Sequence, residues 1–423
     1  MTMSDAPQHT NNTQTSAKHT STAGTGERAL PLPLEGIKVL DCARLVAGGC
    51  IGTLLGDFGA EVVKIEVPGK GDPLRGWAVE KKEFWWKVYA RNKKSMTLNL
   101  SVQEGRDILL EMIPHFDVMI EGFVPGKLES WGLSPEVLLK LNPGLVLVRA
   151  SGWGQTGPYS SRPGFGTLIE SMSGFAHMTG MPEGPPTLPP LPLADMTTAL
   201  YGTSATMFAL FSRERHGGKG QVIDLSIYES MISILGPAAA EYQHCGVIQQ
   251  RRGNRAPTNA PRNTYQSADG KWIAMSAATQ SMAEKTMRAI GRPEMIDDPR
   301  FKTNEQRIIN VEALDEAIKG EISKFSQADM LERFHQAGVT AAPVYDIEQL
   351  LADEHVQKRE VIIEVPDHDL GTVKMHNIIP RLSGTPGQIR STGPTLNQHG
   401  NEVLRSIGFS EERIAAAKAK GLF

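Results

Sequence analysis

The chain has 423 residues, of which 40% are hydrophobic and 22% are charged, and its formal net charge is -3. This is the composition of a globular protein, and the length predicts two or three domains with a large buried core. The small net charge gives no reason to expect nucleic acid or an anionic membrane surface as a partner.

The cysteines and the N-terminal residues indicate the cellular compartment of the protein. Cys42, Cys50 and Cys245 show no metal-binding spacing, and no apolar run reaches the ~18 residues that span a bilayer. Residues 1–31 are rich in Thr, Ser, Asn and Gln and lack both the apolar core of a signal peptide and the arginines of an organellar transit peptide. We therefore expect a disordered leader at 1–31, free thiols and a cytoplasmic protein.

From residue 32 onward, short β-branched runs alternate with segments of helical spacing, which is typical of parallel βαβ units. Ser101 and Glu104 form a capping-box pattern at the start of one of these helices. The predicted strands are residues 37–40, 62–67, 96–100, 118–120, 145–148 and 221–226. Together they predict a doubly wound α/β layer, whose ligands should lie beyond the carboxyl ends of the strands.

The second half of the chain changes in composition. A Pro/Gly-rich loop at 182–192 is followed by a long predicted helix from about Asp195, a natural N-cap. Arg, Asn and Pro are frequent at 249–264, which indicates a linker or an active-site loop. A smaller α+β region is predicted to begin near Trp272, with helices around 281–290, 310–325 and 327–336, and a last helix is predicted after Ser410.

A turn at Pro163 and Gly164 leads to Gly166, where an apolar run of helical spacing begins. A side chain at this position would stand at a helix N-terminus, where backbone N–H groups stabilise an anion. Position 166 is therefore suited to a reactive carboxylate, but glycine supplies none.

Other candidate chemistry has simpler explanations. Gly48, Gly49 and Gly52 lie between a strand and a helix, but their spacing differs from GxGxxG, so tight packing is favoured over a nicotinamide site. The basic run at 91–94 is by default a solvated turn, although it could hold a phosphorylated nucleotide. Four possible nucleophiles lack the local pattern of a hydrolase and are assigned core or capping roles: Ser173, Cys50, His177 and His399.

Several short motifs follow one another along the chain, and together they identify a protein family more specifically than any single motif does. Gly56-Asp57-Phe58-Gly59-Ala60-Glu61 and Arg162-Pro163-Gly164-Phe165 are two of these motifs. The others are residues 33–41, 44–48, 71–77, 91–95, 151–159, 217–221, 298–301, 337–344 and 382–386. Over residues 32–423 this succession resembles the family III CoA-transferases.

The resemblance implies a fold and an assembly. It implies a large Rossmann-like domain formed by both chain ends (32–225 and 339–423), with a linker and small α+β domain at 226–338. It also implies that two chains interlock like links. The substrates it implies are coenzyme A and acyl-CoA, with no permanently bound cofactor and no metal.

The resemblance further implies that an aspartate after Pro-Gly-Phe attacks the acyl-CoA, and that position is Gly166 here. Glu170 lies one helical turn further on and is at most a weak surrogate, because reacting atoms must approach to ~3–3.5 Å. Asp195 matches an acid that ordinary members carry besides their nucleophile, so a helix-cap role is favoured. The residues implied to bind CoA are Arg44, Val46, Ala47, Arg91, Asn92, Lys93 and Lys94.

Three departures from the family pattern support a site without catalytic demand. Gly122 and Ser130 stand where the family usually has asparagine and arginine, and residues 396–399 replace Gly-Glu-His. Our hypothesis is a non-catalytic subunit of a heteromeric CoA-transferase that moves CoA from succinyl-CoA to a dicarboxylic acid such as (R)-benzylsuccinate of toluene degradation. A homologous subunit would supply the aspartate. The alternatives are an acyl-CoA racemase or lyase, a transferase that uses Glu170, and a non-enzymatic CoA-binding homodimer.

Overall fold

The computed structural model describes residues 30–423, so almost all of the leader predicted to be disordered lies outside the described residues. The remainder from Leu32 to Phe423 forms one compact unit. No helix in the described part of the chain is both long and apolar enough to cross a membrane.

A six-stranded, all-parallel sheet lies at the centre of this unit, with the strand order β3-β2-β1-β4-β5-β6. The strands are β1 (Lys38–Asp41), β2 (Glu61–Glu66), β3 (Lys93–Thr97), β4 (Val118–Glu121), β5 (Val146–Ser151) and β6 (Val222–Ser226). The prediction of a doubly wound α/β layer is thus confirmed. The order reverses between β1 and β4, which is where sheets of this kind bind their ligands.

Both faces of the sheet are buried, as continuous apolar strands require. Successive residues point to opposite faces, so Val39 and Val148 belong to one core cluster, while Leu40 and Leu147 belong to the other. On the first face, Gly202 allows a close helix crossing, since a Cβ there would lie 2.4 Å from Ile51 Cδ1.

Helices cover both faces and build the rest of the chain. In the first half they are α1 (Ala47–Asp57), α2 (Phe84–Tyr89), α3 (Gln103–Met112), α4 (Lys127–Ser130), α5 (Pro135–Leu141), α6 (Gly166–Met172), α7 (Phe175–Met178) and α8 (Leu193–Arg215). The others are α9 (Ile227–Ile232), α10 (Ala238–Cys245), α11 (Gln280–Ala289), α12 (Asn304–Ile309), α13 (Val311–Ile322), α14 (Gln327–Ala337), α15 (Ile347–Ala352), α16 (Glu354–Lys358), α17 (Gly400–Ser406) and α18 (Glu411–Ala419). Single 3-10 turns occur at Pro73–Gly76, Ile113–His115 and Pro293–Ile296.

Two smaller sheets are antiparallel. β7 (Arg262–Gln266), β8 (Trp272–Ser276) and β9 (Ala341–Pro343) form one, and β10 (Ile362–Asp367) pairs with β11 (Gly371–His376) in the other. The three-stranded sheet packs with α11, α13 and α14 around a separate core that includes Leu314, Ile318 and Phe334.

The C-terminal segment returns to the edge of the parallel sheet. The Ser95 N–H donates to His399 Nδ1 (3.1 Å), and the Thr97 N–H donates to Asn397 Oδ1 (3.0 Å). Leu404 and Phe409 then pack in the same core cluster as Leu40 of the central strand. The last forty residues therefore complete the hydrophobic core on one face of the parallel sheet, to which residues of the first hundred also contribute.

Two local predictions differ from the structure. The predicted capping box is wrong: α3 begins at Gln103 after an extended Val102, because the Ser101 hydroxyl donates instead to Asn99 Oδ1 (2.5 Å). Strand β3 begins at Lys93, three residues before the predicted start. Burying this lysine in a strand is possible because its ammonium group meets a carboxylate.

That carboxylate is Asp41, at the carboxyl end of β1. Asp41 is fully buried and lies 2.9 Å from Lys93 Nζ and 3.4 Å from Lys64 Nζ, and Lys64 Nζ also lies 3.0 Å from the Asp72 carboxylate. Asp72 accepts a hydrogen bond from the N–H of Leu45, whose φ of 59° is unusual for a residue with a side chain. This buried cluster of charges fixes the loop that follows β1.

Replacing Asp41 with Asn should lower the free energy of unfolding by about 3–5 kcal/mol, because it leaves Lys64 and Lys93 short of a buried countercharge. Urea denaturation followed by circular dichroism measures the change. Glu316→Gln is the matched control: it removes an exposed partner of Lys319 and should change stability by less than about 1 kcal/mol. Equal effects of the two variants would contradict the assignment.

Candidate active site

A cleft of about 720 Å³ opens at the carboxyl ends of β1, β4 and β5. It lies at the point where the strand order reverses, and the sequence predicts a ligand at this end of the strands. Its walls come from the loop after β1 (44–48), the loop after β4 (122–125), the end of β5, the start of α6, and the Pro-rich segment 188–192 before α8. Trp77 and Trp85 stand at its rim in an edge-to-face pair.

Gly166 is buried at the first position of α6. Its backbone is not in the left-handed region, so an L-residue could adopt it. A Cβ at this position would lie 2.8 Å from Asp195 Oδ2 and 3.4 Å from Asp195 Cγ. The space beside Gly166 is therefore not empty, because the carboxylate of Asp195 lies in it.

Asp195 does not have the predicted capping role. Helix α8 begins at Leu193 after Pro192, so Asp195 is the third helical residue and makes no capping hydrogen bond. Its partly buried carboxylate forms no hydrogen bond or ion pair with any residue in the range 30–423. The prediction failed because the Pro-rich loop enters the helix at Pro192, three residues before the predicted N-cap.

Glu170 caps α8 instead. Its side chain is only 3% exposed, and Oε1 accepts a hydrogen bond of 3.1 Å from the Ala194 N–H in the first turn of α8. A carboxylate at this place satisfies an otherwise unpaired amide and interacts favourably with the helix dipole. The predicted surrogate nucleophile is therefore held in a structural contact.

The surroundings of Asp195 also change its proton affinity. Burial, and secondarily the nearby charge of Glu170, raise the pKa of Asp195 to about 7. The Asp195 side chain thus exchanges a proton near neutral pH. Groups with such pKa values are suited to chemistry at neutral pH.

The predicted CoA-binding residues fall into two groups. Arg44, Val46 and Ala47 line the cleft, with Arg44 exposed at its mouth. Their role in CoA binding stays a prediction. Arg162, which stacks on Tyr159, is the second cation at the cleft, and neither arginine has an acidic partner among residues 30–423.

The basic run at 91–94 lies away from this cleft and is paired internally. Arg91 donates to Asp57 (2.7 Å), as does Asn92 (2.8 Å), and Arg91 is only 1% exposed. Lys93 is bound to Asp41, and Lys94 contacts Glu61 (3.1 Å) and Glu402 (2.9 Å). These contacts give the run a structural role. The solvated-turn interpretation is wrong for Arg91, Asn92 and Lys93, because Arg91 and Asn92 have a buried partner in Asp57 and Lys93 has one in Asp41.

The remaining candidates also have structural contacts. A Cβ at Gly48 would lie 2.4 Å from Ala43 Cβ, which agrees with tight packing. Cys50 is buried, and burial raises the pKa of its thiol to about 12. The Ser173 hydroxyl donates to the Glu170 carbonyl, and His399 accepts from Ser95. Among the departures from the family pattern, Gly122 lines the cleft, while Ser130 is exposed.

The pKa of Asp195 predicts a pH-dependent stability. An aspartate in the unfolded chain has a pKa near 3.9, so between about pH 4 and 7 the folded chain binds the extra proton, and stability falls as pH rises through this window. Asp195→Asn should therefore be more stable than the parent at pH 8, by an amount on the order of a few kcal/mol. The difference should vanish near pH 4.

Thermal unfolding of both proteins from pH 4 to 8 measures this difference. The control is Glu214→Gln, an exposed acid on the same helix, which should leave the pH profile unchanged. A constant difference between Asp195→Asn and the parent at all pH values would contradict the assignment.

Comparisons with known proteins agree with this geometry. The model of CoA-transferase family III matches residues 34–400. The chain is 41% identical to succinyl-CoA–D-citramalate CoA-transferase of Chloroflexus aurantiacus (92% of this chain, 98% of that one) and 39% identical to the β subunit of succinyl-CoA–L-malate CoA-transferase of the same organism (92% and 98%). A CAIB/BAIF family protein of Brucella suis has a similar structure (TM-score 0.79, 31% identity, 89% of this chain and 100% of that one). The chain therefore belongs to CoA-transferase family III.

Proposed function

We propose that this chain is a subunit of an enzyme that moves coenzyme A from succinyl-CoA to a short dicarboxylic acid. The observation that carries the proposal is the composition of the cleft, in which two carboxylates and two arginines without acidic partners face apolar walls at the strand ends. CoA thioesters are the substrates of this family, and acyl exchange between carboxylates needs no permanently bound cofactor.

The arginines and the relatives support the proposed acceptor class. A dicarboxylic acid needs one carboxylate for the exchange and offers the other to a cation, and a guanidinium binds a carboxylate in a bidentate manner. Arg44 and Arg162 are the cations available at the cleft. D-citramalate and L-malate, in the names of the relatives, and glutarate, in the name of a mouse relative 30% identical to this chain, are all short dicarboxylates.

The benzylsuccinate prediction has narrower support. (R)-Benzylsuccinate carries the same dicarboxylate frame with a phenyl ring, and Leu188, Pro189 and Leu191 offer an apolar wall for such a ring. A role in toluene degradation stays a prediction from the sequence.

Assembly is supported by the surface of α8. Its buried face carries small residues such as Ala199, Gly202 and Ala209, while large apolar residues point outward. Leu200, Phe208 and Phe211 are 62, 73 and 58% exposed. Helix α10 likewise buries no residue. An exposed apolar surface of this kind is typical of a subunit interface, and relatives of this chain are named as α and β subunits.

A non-catalytic subunit is the second candidate function. The observation that favours it is Gly166, which has no side chain to carry an acyl group at the position where the sequence resemblance places the family aspartate. In this case a homologous chain with an aspartate after Pro-Gly-Phe would catalyse the reaction, and this chain would complete the interlocked assembly.

Purified chain, alone and with a homologue that carries the aspartate, should form acyl-CoA from succinyl-CoA and at least one of citramalate, malate, glutarate or benzylsuccinate. Arg44→Ala should raise a substrate KM by about 10–100-fold, because a hydrogen bond to a charged group contributes about 1.5–3 kcal/mol. Chromatography of the CoA esters measures both effects. The control is Lys319→Ala, which changes an exposed side chain that does not line the cleft. No product with any acceptor in either arrangement would contradict the proposal.

A charged residue introduced on the exposed apolar surface of α8 tests the predicted interface. Phe208→Glu should shift the assembly toward monomers in light scattering after size-exclusion chromatography, because it buries an unpaired charge in the proposed contact. Ile309→Glu changes a similarly exposed apolar residue (67%) outside α8 and should leave the oligomer intact. A parent protein that is monomeric at micromolar concentration would overturn the interface.

A further inference from the structure

A second cavity, of about 410 Å³, lies beside the loop that follows β2, and it shares no lining residue with the cleft. Its wall is rich in basic side chains, which come from this loop, from residues 81–83 and from α2. The charged residues of the wall are Lys70, Arg75, Lys81, Lys82 and Lys87, against the acids Glu83 and Asp369. This local excess of positive charge contrasts with the chain as a whole, whose net charge is -3.

Two of these cations are already neutralised by acids. The Arg75 guanidinium lies 2.8 Å from the Glu66 carboxylate and 3.0 Å from that of Glu83. The Lys87 ammonium group lies 2.6 Å from the Asp369 carboxylate. These pairs fix the floor of the cavity and account for both acids of its wall.

The other three cations have no such partner. Lys70, Lys81 and Lys82 are exposed, and none of them forms an ion pair within residues 30–423. Like charges that surround one cavity repel one another, and a bound anion removes this repulsion. The cavity therefore favours an anion with more than one negative charge.

The type of cation indicates the type of anion. A carboxylate is best matched by the planar fork of an arginine, but Arg75, the one arginine among the described lining residues, donates instead to two glutamates. Lysine ammonium groups act as point charges and commonly bind phosphates. The volume suits a small molecule, and Leu370, Pro394 and Leu396 offer apolar contact for the rest of it. A small molecule with a diphosphate group fits these features.

Two of the lysines belong to a hairpin that also reaches the cleft. Val79 and Lys82 exchange backbone hydrogen bonds of 3.1 and 2.9 Å, and Lys81 lies in the turn between them. Trp77 precedes this hairpin and Trp85 follows it, and both line the cleft. Residues 76–82 are all exposed, so few packing contacts hold the hairpin in place. An anion bound to its turn therefore affects the rim of the cleft.

We propose that the cavity at Lys70, Lys81 and Lys82 binds a small molecule with a diphosphate group, and that the bound anion fixes the positions of Trp77 and Trp85. On the basis of the proposed function, this second site regulates substrate binding in the cleft. Because the anion orders the hairpin before the substrate arrives, it lowers the KM of the substrate. Coupled sites typically change each other's affinity by about 5–150-fold.

Inorganic pyrophosphate is the probe for this site. Calorimetric titration of the full chain in its native assembly should show saturable binding, with or without saturating CoA, and the affinity should fall as salt is added. Lys81→Ala combined with Lys82→Ala should weaken binding by about 10-fold or more, because hydrogen bonds to a charged group are lost. Lys418→Ala combined with Lys420→Ala is the matched control, since it removes two exposed lysines of α18 and should bind as the parent does.

Two further ligands test the chemistry of the site. ADP carries the same diphosphate on a nucleoside, and citrate carries carboxylates in its place. Tighter binding of ADP than of pyrophosphate would support a nucleotide as the ligand, and the reverse order would support the free anion. Binding of citrate as tight as that of pyrophosphate, displacement of pyrophosphate by CoA, or an unchanged affinity in the double lysine variant would overturn the proposal.

Tryptophan fluorescence tests the connection to the cleft without any need for activity. Saturating pyrophosphate should change the emission of the parent, and Trp77→Phe should lose most of this change while it still binds the anion in the calorimeter. Pyrophosphate that binds to the parent and leaves its emission unchanged would overturn the connection between the two sites.

The transferase assay separates this proposal from the proposed function. Saturating pyrophosphate should lower a substrate KM by about 5-fold or more in the parent and in the α18 control, and not in the double lysine variant. If CoA esters form with a KM that pyrophosphate does not change, the regulation is wrong and the proposed function stands. If no CoA ester forms with any acceptor, alone or with a homologue, the proposed function fails, while calorimetry and fluorescence still decide whether the anion site exists.

Discussion

The cleft depends on a buried cluster of charges at the end of the central strand. Asp41 meets two lysines there, and one of them, Lys64, also meets Asp72, which in turn holds the backbone of Leu45 in a left-handed conformation. Backbone strain of this kind persists only where surrounding contacts determine it. The cluster therefore converts the end of a parallel strand into a fixed wall of the cleft, and it lets lysines occupy strand β3 and the strand next to it.

Two acids, Glu170 and Asp195, also line this cleft. Glu170 accepts the amide of Ala194, and Asp195 is left without a donor beside Gly166. The pair shows how one glycine can change more than its own position. Because Gly166 has no Cβ, the Asp195 carboxylate fits beside it, and burial together with the charge of Glu170 makes that carboxylate harder to ionise.

Much of this structure was predictable from the residues. The apolar strands and their helical partners predict the parallel sheet, and the strand ends predict the position of the cleft, because both depend on local pattern and on general rules of α/β folds. The partners of Arg91 and Lys93 and the start of α8 were not predictable. They depend on which acids tertiary packing brings near, as with Asp57 and Asp41, and on the path of the Pro-rich loop.

The return of the last forty residues to β3 has a consequence for biosynthesis. While the ribosome is still making the chain, Ser95 and Thr97 have no partners at 397–399, and the apolar face around Leu40 lacks its cover from Leu404 and Phe409. Contacts so distant in sequence form late and slowly. The nascent N-terminal half should thus remain aggregation-prone until residues 397–409 have been synthesised. Chaperones that shield such apolar surfaces should therefore raise the yield of this protein in a foreign host.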